Sequence, residues 1–198
     1  MITPLAVTLP TPPLSIDEIL RYSSGGGDSA GVRELLDECI IEALPALSYR
    51  AVYCRVPVIR RGTCIDFEAF TVESHTLDLA LSGADEAIIF ASTVGLYPDR
   101  AVRRYSASSP SRALLHQSIG AERVEALCDA FTAHLSNELG VSFRPRVSPG
   151  YGDIPLTLQR DIISLLDTQR MIGVTLNDSL LMSPSKSVSA IMGIKKIK

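Results

Sequence analysis

Residues 143–153 combine Arg, Tyr, Asp and two Gly residues in one short segment, and these residue types could bind a small ligand. Pro149 fixes a backbone angle that suits the second position of a turn, and Gly150 behind it can adopt a positive φ. A guanidinium such as that of Arg146 can hold a carboxylate through two hydrogen bonds, and the ring of Tyr151 can lie against a flat heterocycle. The segment indicates a binding site, although an ordinary surface turn with a solvated arginine fits the same spacing.

Asp129 is a second candidate because of its position on a predicted helix. Leu127, Phe131 and other apolar residues recur at helical spacing in residues 121–139, which predicts an amphipathic helix. At about 100° per residue, Asp129 lies about 200° from both Leu127 and Phe131 and projects away from the apolar stripe. It is therefore free to face solvent or a ligand.

Other motifs are weaker signals for chemistry. The glycine run at residues 25–27 lacks the preceding strand and the Gly-Lys-Ser/Thr ending of a phosphate-binding loop. The four cysteines are widely separated and the three histidines are isolated, so we expect no metal site and no disulfide framework. Arg100, Arg103 and Arg104 form a basic cluster that fits a solvated helix face or, alternatively, a docking surface.

Composition limits the classes of protein that the chain can belong to. Its 198 residues are 46% hydrophobic and 21% charged, values typical of a globular protein with one sizeable domain. The net charge of −3 argues against a surface for nucleic acid or for an anionic membrane. The N-terminus shows no positive region followed by an apolar run, and no stretch has the length of a membrane span, so we expect a cytoplasmic protein.

The helices and strands predicted around the candidate residues do not follow a strict βαβ order. Residues 1–14 contain four prolines and are predicted to form an extended arm rather than an element, followed by one domain at 15–194 and a basic tail at 195–198. Residues 15–83 of the domain are predicted to contain helices and a β-hairpin, in which residues 51–59 pair with residues 63–71. In residues 84–194 of the domain, the continuous apolar run at 87–94 predicts a central buried strand. The pattern predicts an α+β fold with a mostly antiparallel, twisted sheet flanked by helices.

Several separated blocks resemble one family, the reactivation (activation) domain of cobalamin-dependent methionine synthase. The sequence Arg146-x-x-Pro149-Gly150-Tyr151 is similar to the S-adenosylmethionine-binding signature of that domain, and residues 172–189 are similar to the segment that follows it. Residues 87–105 and 126–131 resemble the part that precedes it. The blocks occur in the order of the family, from about residue 84 to about residue 193.

The resemblance implies a C-shaped α+β domain that binds S-adenosylmethionine and presents its methyl group to the reduced cobalt of a corrinoid enzyme. By position, Arg146 would hold the methionine carboxylate, Asp129 would contact the cationic end, and Tyr151 would support the ligand from the turn. No catalytic acid, base or metal is implied, since methyl transfer to cobalt requires placement. The predicted cofactor-binding residues are Asp129, Arg146, Ser148, Pro149, Gly150, Tyr151 and Asp153.

The function implied by the resemblance is that of a free-standing reactivation subunit. Its partner would be a methionine synthase lacking its own activation domain, or another corrinoid protein, which would carry the cobalamin, with a reductant such as a flavodoxin. Two alternatives stay open: a module that senses S-adenosylmethionine or chaperones a corrinoid protein, and a protein that kept the fold, lost the ligand and serves in assembly. The chain departs from the family where Gly152-Asp153 replaces a Pro and a small residue, and the family's later aromatic contact has no counterpart.

Overall fold

The computed structural model describes residues 2–23 and 30–195. The glycine run at 25–27 and the tail beyond Lys195 lie outside the described residues. The helices are α1 (Ile16–Tyr22), α2 (Ala30–Ala43), α3 (His75–Ala80), α4 (Tyr97–Tyr105), α5 (Pro110–Leu139), α6 (Leu158–Leu166) and α7 (Thr168–Ile172), with a 3-10 turn at Leu44–Ala46. The strands are β1 (Leu5–Thr8), β2 (Arg50–Pro57), β3 (Ile59–Arg61), β4 (Cys64–Asp66), β5 (Thr71–Glu73), β6 (Glu86–Thr93), β7 (Ser142–Phe143), β8 (Thr175–Leu176), β9 (Met182–Ser183) and β10 (Ser187–Lys195).

A five-stranded sheet forms the centre of the molecule, in the order β1-β2-β6-β10-β7. Every pair of neighbouring strands in it is antiparallel, with Tyr53 of β2 opposite Phe90 of β6 and Ala190 of β10 on the other side of Phe90. Two smaller antiparallel sheets, β3-β4-β5 and β8-β9, lie outside it. The predicted α+β fold with an antiparallel sheet is confirmed.

Strand β6 is buried on both faces, as its continuous apolar sequence predicts. Ile89 and Ala91 contribute to a core shared with α6 and α7. Ile88 and Phe90 point to the opposite face, where Phe90 packs against Phe131 of α5 with the ring centroids 4.9 Å apart. The sheet is therefore covered by helices on both sides, and α5 is the helix that faces the candidate site.

Helix α5 is a single helix of 30 residues, so the helix predicted at residues 121–139 is its C-terminal part. Gly120 lies inside the helix and faces α4. A β-carbon at Gly120 would lie 2.9 Å from Cβ of Pro98, so glycine serves here to let two helices approach closely. The helix ends at Gly140, whose φ of 64° gives a left-handed cap.

Two predictions about strands are wrong. Residues 51–57 do not pair with residues 63–71; they form β2 of the main sheet, and the hairpin is the short pair β3-β4. Part of the N-terminal arm is an element, because Leu5–Thr8 forms β1 at the edge of the sheet, with Val7 opposite Ala51. An edge strand tolerates flanking prolines such as Pro4 and Pro10, since one of its sides needs no ladder hydrogen bonds.

Candidate functional site

The segment at residues 148–154 folds into the turn that its sequence predicts. The N–H of Tyr151 donates to the carbonyl of Ser148 at 3.1 Å, with Pro149 at the second position of the turn. Gly150 has a φ of 87°, which is the left-handed conformation expected at the third position of a type II turn. A second bond, from the N–H of Gly150 to the carbonyl of Ile154 at 2.9 Å, closes the loop. The ring of Tyr151 is 65% exposed.

The turn is fixed to the main sheet at its beginning. Val147 and Ile191 of β10 exchange two backbone hydrogen bonds, of 3.0 and 2.8 Å. The backbone entering the turn therefore has a defined position relative to the central strands.

Asp153 fixes the turn at its other end by binding the start of α3. Its carboxylate accepts hydrogen bonds from the hydroxyl of Ser74 at 2.6 Å and from the N–H groups of His75 and Thr76 at 2.8 and 2.9 Å. These hydrogen bonds lower the pKa of Asp153 below its usual value, and the bond from Ser74 has the largest effect. Gly152 lies so close to this helix that a β-carbon would come within 2.4 Å of Oγ1 of Thr76.

Arg146 forms two ion pairs with acidic residues of α5. Its Nη1 lies 2.6 Å from Oδ1 of Asp129, and its Nη2 lies 2.7 Å from Oε2 of Glu125. Partial burial disfavours the guanidinium charge, but the hydrogen bonds to Asp129 and Glu125 outweigh this effect and raise the pKa of Arg146 above its usual value. The side chain of Asp129 is 72% exposed and that of Arg146 is 27% exposed, so water and ligands can reach the pair.

An acidic cleft of about 480 Å³ opens beside this cluster, between α5 and the N-terminal arm. Two prolines of the arm and Tyr22 of α1 supply its apolar wall. Its carboxylate side chains are Glu18, Glu122, Glu125 and Asp129.

Arg146 itself lines a second cleft, of about 400 Å³, together with Arg144 and Lys195. The cluster of Arg146, Asp129 and Glu125 therefore stands between an acidic and a basic surface. A ligand that carries both signs of charge fits this boundary better than one that carries a single sign.

The arm is attached to α5 by a buried arginine. The side chain of Arg123 has no exposed surface, and it donates to the carbonyls of Pro12 and Pro13 at 2.7 and 2.6 Å. It also donates to Glu122, which in turn accepts the N–H of Ser15 at 3.1 Å. These contacts hold the arm in place as one wall of the acidic cleft.

The structure brings two of the predicted site residues, Asp129 and Arg146, into direct contact. Ser148, Pro149, Gly150 and Tyr151 form a turn that begins two residues after Arg146 in the chain, and they line neither cleft. Asp153 anchors that turn to α3. Asp129 is exposed while Leu127 and Phe131 are buried, as the helical spacing predicts.

Sequence reasoning did not identify Glu125, Glu122 or Arg123. Glu125 could have been found, since a residue four positions before Asp129 lies on the same helix face. The bonds from Arg123 to the arm carry no sequence signal, because they join residues separated by 110 and 111 positions.

Metal sites, disulfides and membrane-spanning helices are other possible functional features of the described residues. Within them, no group of three or more His, Cys, Asp and Glu side chains could hold a metal ion, and all four cysteines are free. In the same ranges, no helix combines the length and the apolar character needed to cross a membrane.

Comparisons with known proteins identify the family and the fold of the chain. Residues 78–196, which include Asp129 and the whole turn, match the family model described as "Vitamin B12 dependent methionine synthase, activation domain". No curated protein matches the chain. A solved structure described as "Crystal Structure of the MetH Reactivation Domain bound to AdoHcy" shares the fold, with a TM-score of 0.69 and 18% sequence identity over 97% of this chain and 78% of that one. The family model covers more than half of the chain, and the protein therefore belongs to the activation domain family of vitamin B12-dependent methionine synthases.

Proposed function

We propose that this protein binds S-adenosylmethionine and supports reductive methylation of the cobalamin of a methionine synthase, or of a related corrinoid protein, carried on another polypeptide. The observation that carries the proposal is the cluster of Arg146, Asp129 and Glu125 at the edge of the acidic cleft. Family membership and the description of the solved structure, whose bound ligand is AdoHcy, support the choice of ligand.

The charges of the cluster complement those of the ligand. S-adenosylmethionine carries one carboxylate, one ammonium and one sulfonium group, and so has a net charge of about +1 at neutral pH. The cluster contains one guanidinium and two carboxylates, with the opposite net charge. Arg146 can release one of its acids, bind the ligand carboxylate, and leave Asp129 to pair with a positive group of the ligand, so that every charge keeps a partner.

The turn supplies a second contact surface of the proposed site. The exposed ring of Tyr151 can lie against the ligand, and the backbone of Ser148, Pro149 and Gly150 offers close approach where no large side chain intervenes. The carboxylate oxygens of Asp153 are engaged with α3, so its role in the proposal is to hold this surface in position.

The chemistry requires orientation more than proton transfer. When bound, the ligand would supply an electrophilic methyl group from its sulfonium, and the partner's reduced cobalt would supply the electron pair of the new bond. The electron pair of the broken carbon–sulfur bond would leave with the product S-adenosylhomocysteine. The residues of this chain bind the amino acid end, hold the methyl group toward the open surface, and limit its motion. None of the site residues needs to act as a general acid or base.

Ligand binding can be tested by titrating the protein with S-adenosylmethionine in a calorimeter. Replacing Arg146 by Ala leaves the ligand carboxylate unpaired, so we expect the binding free energy to fall by about 2 to 4 kcal/mol. Arg170→Ala is a matched control, because Arg170 also pairs with an aspartate, Asp167, but does not line either cleft. Equal affinities in the Arg146→Ala variant and in the natural protein would remove Arg146 from the site.

The reactivation role can be tested separately from binding. We expect the purified protein to form methylcobalamin on an inactive cob(II)alamin partner when S-adenosylmethionine and a low-potential reductant are present, and the visible spectrum reports the product. The rate should rise with protein concentration, because two separate chains must first meet. If S-adenosylmethionine binds but methylcobalamin does not form at any concentration, a sensing or chaperone module becomes the better interpretation.

A further inference from the structure

A third cavity, of about 340 Å³, shares no lining residue with the acidic cleft or with the cleft lined by Arg144 and Arg146. It lies where the beginning of β2 meets the loop between β6 and α4. We call it the arginine cavity, after the two arginines that line it, Arg50 and Arg100. Ser48, Gly95 and Gly173 form much of the remaining wall.

Arg50 and Arg100 have no anionic partner in the part of the chain that the structure describes. Arg123 and Arg146 donate to carboxylates or carbonyls, whereas Nε of Arg50 is buried without any hydrogen-bond partner. A buried donor without a partner destabilises the folded protein, so an anion that supplied an acceptor here would be stabilising.

The walls of the arginine cavity bring backbone close to the space between the two side chains. Gly95 and Gly173 have φ values of 85° and 76°, and a β-carbon at Gly95 would lie 2.7 Å from Oγ of Ser48. Leu96 and Tyr97 also line the cavity, so the start of α4 lies at its wall, and no side chain of the described residues caps that helix end. The partial positive charge of a helix N-terminus adds to that of the two guanidinium groups.

The charge of the arginine cavity is opposite to that of the acidic cleft. No Asp or Glu side chain of the described residues lines the arginine cavity, whereas four line the acidic cleft. Asp99, the acidic residue of α4, accepts the N–H of Ser185 at 3.2 Å instead of pairing with an arginine. The cavity therefore selects against the cationic ligand of the proposed function and favours an anion.

We propose that the arginine cavity is a second binding site, which takes a phosphate group. A phosphate is a tetrahedral oxyanion that can accept from two guanidinium groups and a hydroxyl while it lies at a helix N-terminus, which matches Arg50, Arg100, Ser48 and the start of α4 in the cavity wall. The group can arrive as inorganic phosphate or as the monoester of a small metabolite, and the cavity has room for both.

The test is a calorimetric titration of the natural protein with inorganic phosphate and, separately, with ribose 5-phosphate, at constant ionic strength maintained with chloride. We expect both compounds to bind with dissociation constants in the millimolar range or below, and tighter binding of ribose 5-phosphate would identify a monoester as the ligand. Arg50→Met and Arg100→Met should each weaken binding about tenfold or more. Arg103→Met is the matched control, since Arg103 lies on the same helix but does not line the cavity.

Two results would overturn the proposal. One is the absence of any phosphate-dependent heat in the natural protein at concentrations up to about 10 mM. The other is equal binding by Arg100→Met and the natural protein, which is decisive even if Arg50→Met fails to fold, because Arg100 is exposed on α4. Since S-adenosylmethionine is not used, the outcome is independent of the proposed function.

Discussion

Two arginine clusters beside the same helix differ in what surrounds them. Arg123 is fully buried, and its donors reach Glu122 and two carbonyls of the arm. Arg146 is partly exposed, and its donors reach Asp129 and Glu125, whose side chains face solvent. Both clusters join an arginine to acids of α5, but only the second one is open to water.

The exposure of each arginine determines whether it can exchange partners. Removing a partner from a buried ion pair leaves an uncompensated charge in a medium that solvates it poorly, so the contacts of Arg123 are effectively permanent. Exposed pairs contribute little to stability because water compensates each charge when the pair opens. Arg146 can therefore give up an acid to a ligand at small cost, while Arg123 holds the wall of the cleft in place.

The strongest test of this comparison is the change Arg123→Met. It leaves Glu122 buried without its cation and leaves two carbonyls without donors, so we expect the free energy of unfolding to fall by about 3 to 5 kcal/mol. Urea denaturation followed by circular dichroism measures this quantity. The matched change Arg146→Met should lower it by at most about 1 kcal/mol. Similar losses in the two variants would mean that exposure does not distinguish the clusters.

A second experiment tests whether Asp129 recognises the positive charge of the ligand. Asp129→Asn keeps the shape of the side chain and removes its charge, so we expect the binding free energy of S-adenosylmethionine to fall by about 1.5 to 3 kcal/mol. Methylthioadenosine, which lacks the amino acid end and the sulfonium charge, should bind both proteins equally in the same calorimetric assay. A parallel loss for both compounds would show that the acid has only a structural role.

The smallest expected effect concerns the anchor of the turn, Asp153. Its pKa is lowered in the folded protein, so its contribution to stability is present above the pKa of the unfolded chain and is lost as the pH falls below about 4. The variant Asp153→Asn should therefore melt at a lower temperature than the natural protein at neutral pH, and the difference should shrink toward pH 2. A difference that stays constant from pH 7 to pH 2, or one that grows on acidification, would contradict this role; melting curves across that range provide the measurement.

The parts of the site that could be predicted from the sequence are those set by local geometry. Pro149 and Gly150 specify their turn within four residues, and the exposure of Asp129 follows from helical spacing. The spacing of Ser15 and Glu18 is also a local signal, typical of a helix start, and the hydroxyl of Ser15 accepts the N–H of Glu18. Local patterns therefore predicted the turn at residues 148–151, the exposure of Asp129 and the helix cap at Ser15.

The remaining features depend on partners that are distant along the chain. Residues 51–57 carry the same alternating pattern whether they pair with the next strand or with β6, and only the packing of the whole sheet decides between the two. The role of Gly120 depends on Pro98 of α4, and that of Arg123 on carbonyls of the arm. Sequence spacing says nothing about any of these contacts.

Because α5 is one continuous helix, insertions and deletions within it are restricted in sequences of this family. Arg123, which must point inward, and Asp129, which must point outward, are six residues apart on one unbroken helix, with no loop between them. Inserting or deleting one residue between them would turn one relative to the other by about 100°, so the buried anchor and the proposed ligand contact could not both be kept. Between these two positions the helix can accept substitutions but not changes of length, so related sequences should show no gap between positions 123 and 129.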